Sequence, residues 1–150
     1  MSQLIASSLP ILIRLAGIGQ LVLIVASLAI PRVLGWKEET AKLRPLTRQV
    51  FWTYAGYIWA INLAFGLLSA LAPSWLLDHS GLAAAATSFI GVYWIARLVI
   101  QFTYFDRHDV KGRAPPAFLI GGEAALVGLF SVLSLIYTLA ALWNLGVIAA

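Results

Sequence analysis

Four long apolar segments constrain the fold of this chain more than any other feature. They cover approximately residues 9–34, 50–72, 83–105 and 117–148, and short polar stretches separate them. A helix needs about 20 largely apolar residues to cross a bilayer, and each segment reaches that length. None of them alternates polar and apolar residues with the period of two that a membrane β-barrel strand requires. The sequence therefore predicts an all-α integral membrane protein, a single four-helix transmembrane bundle.

The composition points to the same class of protein. Hydrophobic residues make up 61% of the 150 residues and charged residues only 11%, whereas a soluble domain carries about 25% charged residues. A soluble chain of this length would be unable to hide so much apolar surface from water. The chain also has no cysteine, which excludes disulfides, thiolate catalysis and cysteine-based metal sites.

The basic residues predict an orientation. Five of them lie in or beside the connection between the first and second segments and three between the third and fourth, while the tails and the remaining loop have none. They are Arg32, Lys37, Lys42, Arg44 and Arg48 in the one loop, and Arg107, Lys111 and Arg113 in the other. By the positive-inside rule both loops are cytoplasmic. We therefore expect both termini on the non-cytoplasmic side of the cell (inner) membrane, with the first segment retained rather than cleaved as a signal peptide.

The net charge of +4 does not predict nucleic-acid binding. The basic residues are short flanks of helices, and Glu38, Glu39, Asp106 and Asp109 interrupt them. Such flanks contact anionic headgroups, and they lack the extended basic surface that follows a phosphate backbone. The expected partner is the lipid bilayer.

Three charged residues fall inside the apolar segments, where they are costly: Arg14, Arg97 and Glu123. Arg14 is close enough to the outer end of the first segment for its side chain to reach the headgroups. Its alternative is an internal contact with polar residues near the same surface. Those residues are Asn144, Thr87 and Ser88.

Arg97 and Glu123 are predicted to meet. Arg97 lies about 12 Å and Glu123 about 9 Å from the inner surface, at 1.5 Å per helical residue. The third and fourth segments are joined by a short loop, so they should pack side by side. A buried ion pair would neutralise both groups in a region without water.

Further polar and aromatic residues lie at similar depth. Trp94, Arg97, Gln101 and Tyr104 share one helical face, and the second segment contributes Tyr57 and Asn62. With Glu123 they form a predicted ligand-binding site that opens inward. The alternative interpretation is structural, because aromatic residues favour membrane interfaces and amides often only join helices.

Small residues predict close helix packing. Gly121, Gly122, Ala125 and Gly128 make one face of the fourth segment nearly smooth, and Gly17 and Gly56 do the same on the first two. Smooth faces let helix backbones approach. They are suited equally to contacts within the chain, to a homo-oligomer and to a larger membrane complex.

No cofactor or metal is expected. His79 and His108 are predicted in loops on opposite sides of the membrane, so they cannot ligate one haem or metal ion together. Glycine-rich phosphate loops and a Ser/His/Asp constellation are not found in the sequence.

The leading functional hypothesis is a small non-enzymatic membrane protein, either an accessory subunit of a membrane complex or a binder of a lipid-like hydrophobic ligand. An alternative is an enzyme acting on an isoprenoid, quinone or acyl chain. Glu123 would then be the acid or base, and Arg97 would hold an anionic group or tune the pKa of the carboxyl. A further alternative is a small transporter formed by several copies.

Overall fold

A computed structural model describes the backbone of residues 2–104 and 116–148 and the side chains of residues 7–104 and 121–148. Most of the described residues are helical, and none of them forms a β-strand. A 3-10 turn spans Pro73–Leu76. The α-helices are α1 (Ser2–Ser27), α2 (Ile30–Val33), α3 (Trp36–Ala41), α4 (Pro45–Leu71), α5 (Gly81–Thr103) and α6 (Pro116–Asn144).

Four helical segments are long and apolar enough to cross a membrane, which confirms the prediction of four helical spans. They are Ser7–Val33, Pro45–Leu71, Gly81–Thr103 and Gly121–Asn144. The predicted end of the third span, Phe105, and the basic residues Arg107, Lys111 and Arg113 lie outside the described residues.

The first segment is interrupted near its end, where the sequence predicts one continuous span. Proline at position 31 has no N–H to donate to the carbonyl of Ser27, four residues earlier, so the helical ladder stops there. The last turn of α1 tightens, with Leu28 N–H bonded to Val25 O at 3.2 Å. The chain then resumes as the short helix α2.

The fourth helix is shorter than expected and ends at Asn144 rather than Ile148. Gly146 has a φ of 69°, a left-handed conformation that glycine adopts without steric cost. Its N–H bonds to Trp143 O at 3.1 Å, and Val147 N–H bonds to Leu142 O at 3.0 Å. This pair of bonds is the Schellman motif that terminates helices.

The long helices form two closely packed pairs, α1 with α4 and α5 with α6, and α1 also contacts α6. The packing of α5 on α6 agrees with the expectation for helices joined by a short loop. At the α1–α4 crossing the backbones nearly touch, because a Cβ added to Gly17 would lie 2.8 Å from Gly66 O. By contrast, Gly121, Gly122 and Gly128 have open space beside them.

The core occupies only one half of the bundle. We call the end that holds the 3-10 turn the turn end, and the end that holds α2 and α3 the basic end. Among the side chains of the long helices that the structure describes, buried residues fall at 9–24 of α1, 66–69 of α4, 83–94 of α5 and 130–144 of α6. All of these stretches lie toward the turn end. The bundle is therefore closed at the turn end and loosely packed toward the basic end.

Candidate functional site

The predicted polar stripe of α5 runs from the closed core to the open surface. Trp94 is 1% exposed, Arg97 and Gln101 are half-buried, and Tyr104 is 81% exposed. These side chains share one helical face. The exposure therefore rises steadily along that face toward the basic end.

Helices α4 and α5 meet along a narrow seam that we define by Asn62, Phe65, Phe89 and Tyr93. Asn62 Nδ2 donates to the Tyr93 hydroxyl at 2.9 Å. The ring of Phe65 lies edge-on to those of Phe89 and Tyr93, with centroids 6.0 and 5.5 Å apart. Along α5, Arg97 and Gln101 follow Tyr93 at intervals of four residues, rotated about 40° and 80° around the helix from it.

Helix α4 is open beyond this seam. It is the least buried of the four spans, with 11% of its apolar window buried, against 39% for α6. From Asn62 toward the basic end, its large side chains are exposed: Trp52, Tyr54, Tyr57, Ile58 and Trp59. We use the term groove for the stretch beyond the seam toward the basic end, between the exposed Trp59 of α4 and the half-buried Arg97 and Gln101 of α5.

Arg97 faces α6. Its Cζ lies 5.7 Å from the centroid of the Phe130 ring, within the range of a cation–π interaction. Glu123 is half-buried and precedes Phe130 by seven residues, or two helical turns, so both lie on the same face of α6. This places Arg97 and Glu123 on facing helices, and their ion pair remains a prediction.

Tyr57 lies away from the rest of the predicted site. It is five residues before Asn62, a separation of about 140° around a helix of 3.6 residues per turn. Its ring is 62% exposed and lines a shallow surface depression on α4 with Gln49 and Thr53. The structure thus places Asn62 at the seam, Arg97 and Gln101 beyond it on α5, Trp94 in the core against Phe130, and Tyr57 apart from them.

The structure also contains a buried polar network that the sequence analysis did not identify. Gln20 Nε2 donates to the Tyr137 hydroxyl at 2.6 Å, and Ser69 Oγ lies 2.5 Å from the same hydroxyl. All three residues are fully buried. The available signal was Tyr137 itself, a tyrosine deep within an apolar segment and far from either interface.

Asn144 joins the helices at the turn end. Its Nδ2 donates to Leu76 O at 2.8 Å and to Thr87 Oγ1 at 3.3 Å, and its Oδ1 accepts from His79 N–H at 3.2 Å. Two of the contacts considered for Arg14, Asn144 and Thr87, therefore bond to each other. The Arg14 side chain is exposed.

The described residues include no cluster of three or more His, Asp or Glu side chains able to hold a metal ion. The groove instead combines exposed aromatic side chains of α4 with the amide of Gln101 and the guanidinium of Arg97, groups that are suited to binding a polar head attached to an apolar chain.

No protein-family model, curated protein or solved structure matches this chain.

Proposed function

We propose that this protein is a non-enzymatic membrane protein that binds a lipid-like amphiphile in the groove between α4 and α5. The observation that carries the proposal is the exposure gradient along α5, from Trp94 at 1% to Tyr104 at 81%. This face of α5 passes from the core to the surface and carries a polar or aromatic side chain at each turn. Such a face can contact both the polar head and the apolar tail of an amphiphile. The head would lie at the closed end, and the tail would follow the aromatic residues of α4.

The proposal includes an orientation. Arg32, Lys37, Lys42, Arg44 and Arg48 all lie in or beside the connection between the first two spans, so the basic end would face the cytoplasm of a cell with an inner membrane. The groove would then open toward the cytoplasmic leaflet. A reporter fused after Ala150 should be active outside the cytoplasm, and activity inside it would contradict this orientation.

The groove can be tested by site-directed photo-crosslinking, because the chain has no native cysteine. We would introduce one cysteine at a time, as Gln101→Cys and as Val99→Cys, and label each with benzophenone maleimide. Val99 is 53% exposed and lies about 200° around the helix from Gln101. It is therefore the matched control.

If the groove binds a ligand, the probe at position 101 should crosslink one amphiphile, and excess unlabelled membrane extract should compete for it. The probe at position 99 should label bulk lipids in proportion to their abundance. Identical crosslinked products at the two positions would contradict the proposal.

A second candidate, an accessory subunit of a membrane complex, is favoured by a separate observation. A Cβ added at Gly121, Gly122 or Gly128 would have no atom within 4 Å, so these glycines of α6 do not serve packing within the described part of the chain. Their face would accept a helix of another subunit or of a second copy. This candidate would be favoured over the first if the chain, extracted from its membrane, carried another protein subunit and no bound amphiphile.

A further inference from the structure

The basic end carries more exposed cations than exposed carboxylates. The cations are Arg32, Lys37, Lys42, Arg44 and Arg48, and the carboxylates are Glu38 and Glu39. Lys42 Nζ lies 3.0 Å from Glu39 Oε2. Within the part of the chain that the structure describes, neither Arg44 nor Arg48 forms an ion pair. The charges of these two arginines are therefore available to an anion from outside the chain.

Arg44 and Arg48 lie on the same side of α4 as two aromatic residues. Arg44 immediately precedes the first turn of α4, and Arg48, Phe51 and Trp52 follow it after four, seven and eight residues. At 3.6 residues per turn these positions fall within an arc of about 100°. One side of the first two turns of α4 thus carries cations first and aromatic rings next.

Trp36 of α3 packs against this side of α4. Its ring centroid lies 5.1 Å from that of Phe51 and 6.0 Å from that of Trp52, and the two rings of α4 are 5.6 Å apart. All three contacts are edge-on. Glu38 follows Trp36 by two residues, about 200° around α3, so it lies on the side of α3 away from the rings. We define the basic–aromatic surface by Trp36, Arg44, Arg48, Phe51 and Trp52.

The order of these residues along α4 matches the layers of a lipid leaflet. The apolar span begins at Pro45, so Arg44 and Arg48 lie at its end. Trp52 lies about 10 Å further along the span, at 1.5 Å per residue. Because tryptophan rings favour the boundary between headgroups and acyl chains, the two guanidinium groups reach the level of the lipid phosphates.

We propose that the basic–aromatic surface binds the headgroup of an anionic phospholipid. The phosphate oxygens accept hydrogen bonds from the guanidinium groups of Arg44 and Arg48, a pairing that guanidinium geometry favours. The acyl chains, where they leave the headgroup, pack on the rings of Trp36 and Trp52. This site goes beyond the proposed function and stands whether or not the groove holds an amphiphile.

A zwitterionic choline headgroup fits this surface less well. Its quaternary ammonium group cancels the charge of the phosphate, so the net attraction to two arginines is lost. Aromatic cages that bind such a cation enclose it between ring faces. Here the three rings contact one another instead, and the surface therefore selects for negative charge.

The test compares two phospholipids with the same acyl chains. The full chain in dodecyl maltoside micelles is titrated separately with dioleoyl phosphatidylglycerol and with dioleoyl phosphatidylcholine, and bound lipid is measured by native mass spectrometry. Because each arginine near an anionic lipid contributes about five-fold in affinity, phosphatidylglycerol should bind about 25-fold more tightly than phosphatidylcholine.

Two variants connect this preference to the surface. Arg48→Gln removes one cation and should weaken phosphatidylglycerol binding about five-fold, and because Arg48 is exposed the fold should be unchanged. Arg14→Gln, the matched control, removes an exposed arginine of α1 in the half toward the turn end and should keep the preference. Arg48→Lys retains the charge and should restore most of the affinity.

Equal binding of the two lipids by the wild-type protein would overturn the inference. Equal weakening by Arg48→Gln and Arg14→Gln would also overturn it, because the attraction would then come from the whole positive chain rather than from one surface. Tighter binding of phosphatidylcholine would overturn it in favour of choline recognition. None of these outcomes depends on the groove, so this inference and the proposed function can fail separately.

Discussion

The amide of Gln20 on α1 and the hydroxyl of Tyr137 on α6 are joined by a 2.6 Å hydrogen bond between two fully buried side chains. Ser69 on α4 bonds to the same hydroxyl. Three of the four long helices are thus connected at a single oxygen atom. Because an apolar environment offers polar groups no alternative partners, we expect this network to stabilise the packing of α1, α4 and α6.

Removal of that hydroxyl should destabilise the fold. Tyr137→Phe leaves the Gln20 amide and the Ser69 hydroxyl buried without their shared partner, a change that costs about 1–3 kcal/mol. The midpoint of thermal unfolding in detergent micelles should fall. Tyr54→Phe is the control, because Tyr54 is 63% exposed and its hydroxyl lies outside this network. Equal midpoints for the two variants would show that the network contributes no stability.

The crossing of α1 and α4 should not tolerate a methyl group. In Gly17→Ala the new Cβ would lie 2.8 Å from Gly66 O, so the helices would have to separate, at a cost of about 1–3 kcal/mol. Gly128→Ala adds the same methyl where nothing lies within 4 Å and should be neutral or slightly stabilising, because alanine favours helices. A denaturation series measures both variants, and similar stability would refute the close crossing.

Asn144 should be necessary for the closed turn end. Asn144→Leu removes three hydrogen bonds, to Leu76 O, Thr87 Oγ1 and His79 N–H. We expect faster amide hydrogen exchange over residues 76–80 as the 3-10 turn loosens. Ser131→Ala is the control on the same helix, since the exposed Ser131 hydroxyl bonds only to Val127 O. Unchanged exchange in Asn144→Leu would disprove this role.

The turn before α5 should respond to acid. The side chain and the backbone N–H of Ser80 both hydrogen-bond to the Asp78 carboxylate and lower its pKa from the ordinary value of 3.8. A lowered pKa in the folded state means that the carboxylate stabilises the fold above pH 3.8 and loses this effect as the pH falls below that value.

This pH dependence can be isolated with Asp78→Asn, which keeps an oxygen for the Ser80 N–H but cannot titrate. The wild-type protein should unfold at a higher temperature than the variant near pH 6, and the difference should shrink below pH 3.8. A difference that stays constant down to pH 2.5 would rule out the carboxylate as its source.

The four helices and the pairing of α5 with α6 follow from the sequence, because segment length and short connections determine them. The break after Ser27 and the end at Asn144 depend on single residues, Pro31 and Gly146. Their effects on the backbone are local, and hydropathy alone does not reveal them.

The site was only partly predictable, because apolar helices carry little information about which face meets which neighbour. Depth along the segments predicts that Asn62, near the centre of its span, and Arg97, nearer the inner end of its own, lie at similar levels. It also grouped Tyr57 with them, although the rotation between Tyr57 and Asn62 separates the two. Tyr137 and Tyr93 form hydrogen bonds to helices that are far away in the sequence, such as the bond between Gln20 and Tyr137. The pattern of a single segment does not predict such contacts.

The central claim, that the groove holds an amphiphile, is tested most directly by native mass spectrometry of the protein extracted gently from its own membrane. Our account predicts a bound lipid-like amphiphile of defined mass, retained by the wild-type protein. Protein that carries only bulk phospholipid in proportion to the membrane, or only another protein subunit, would contradict it.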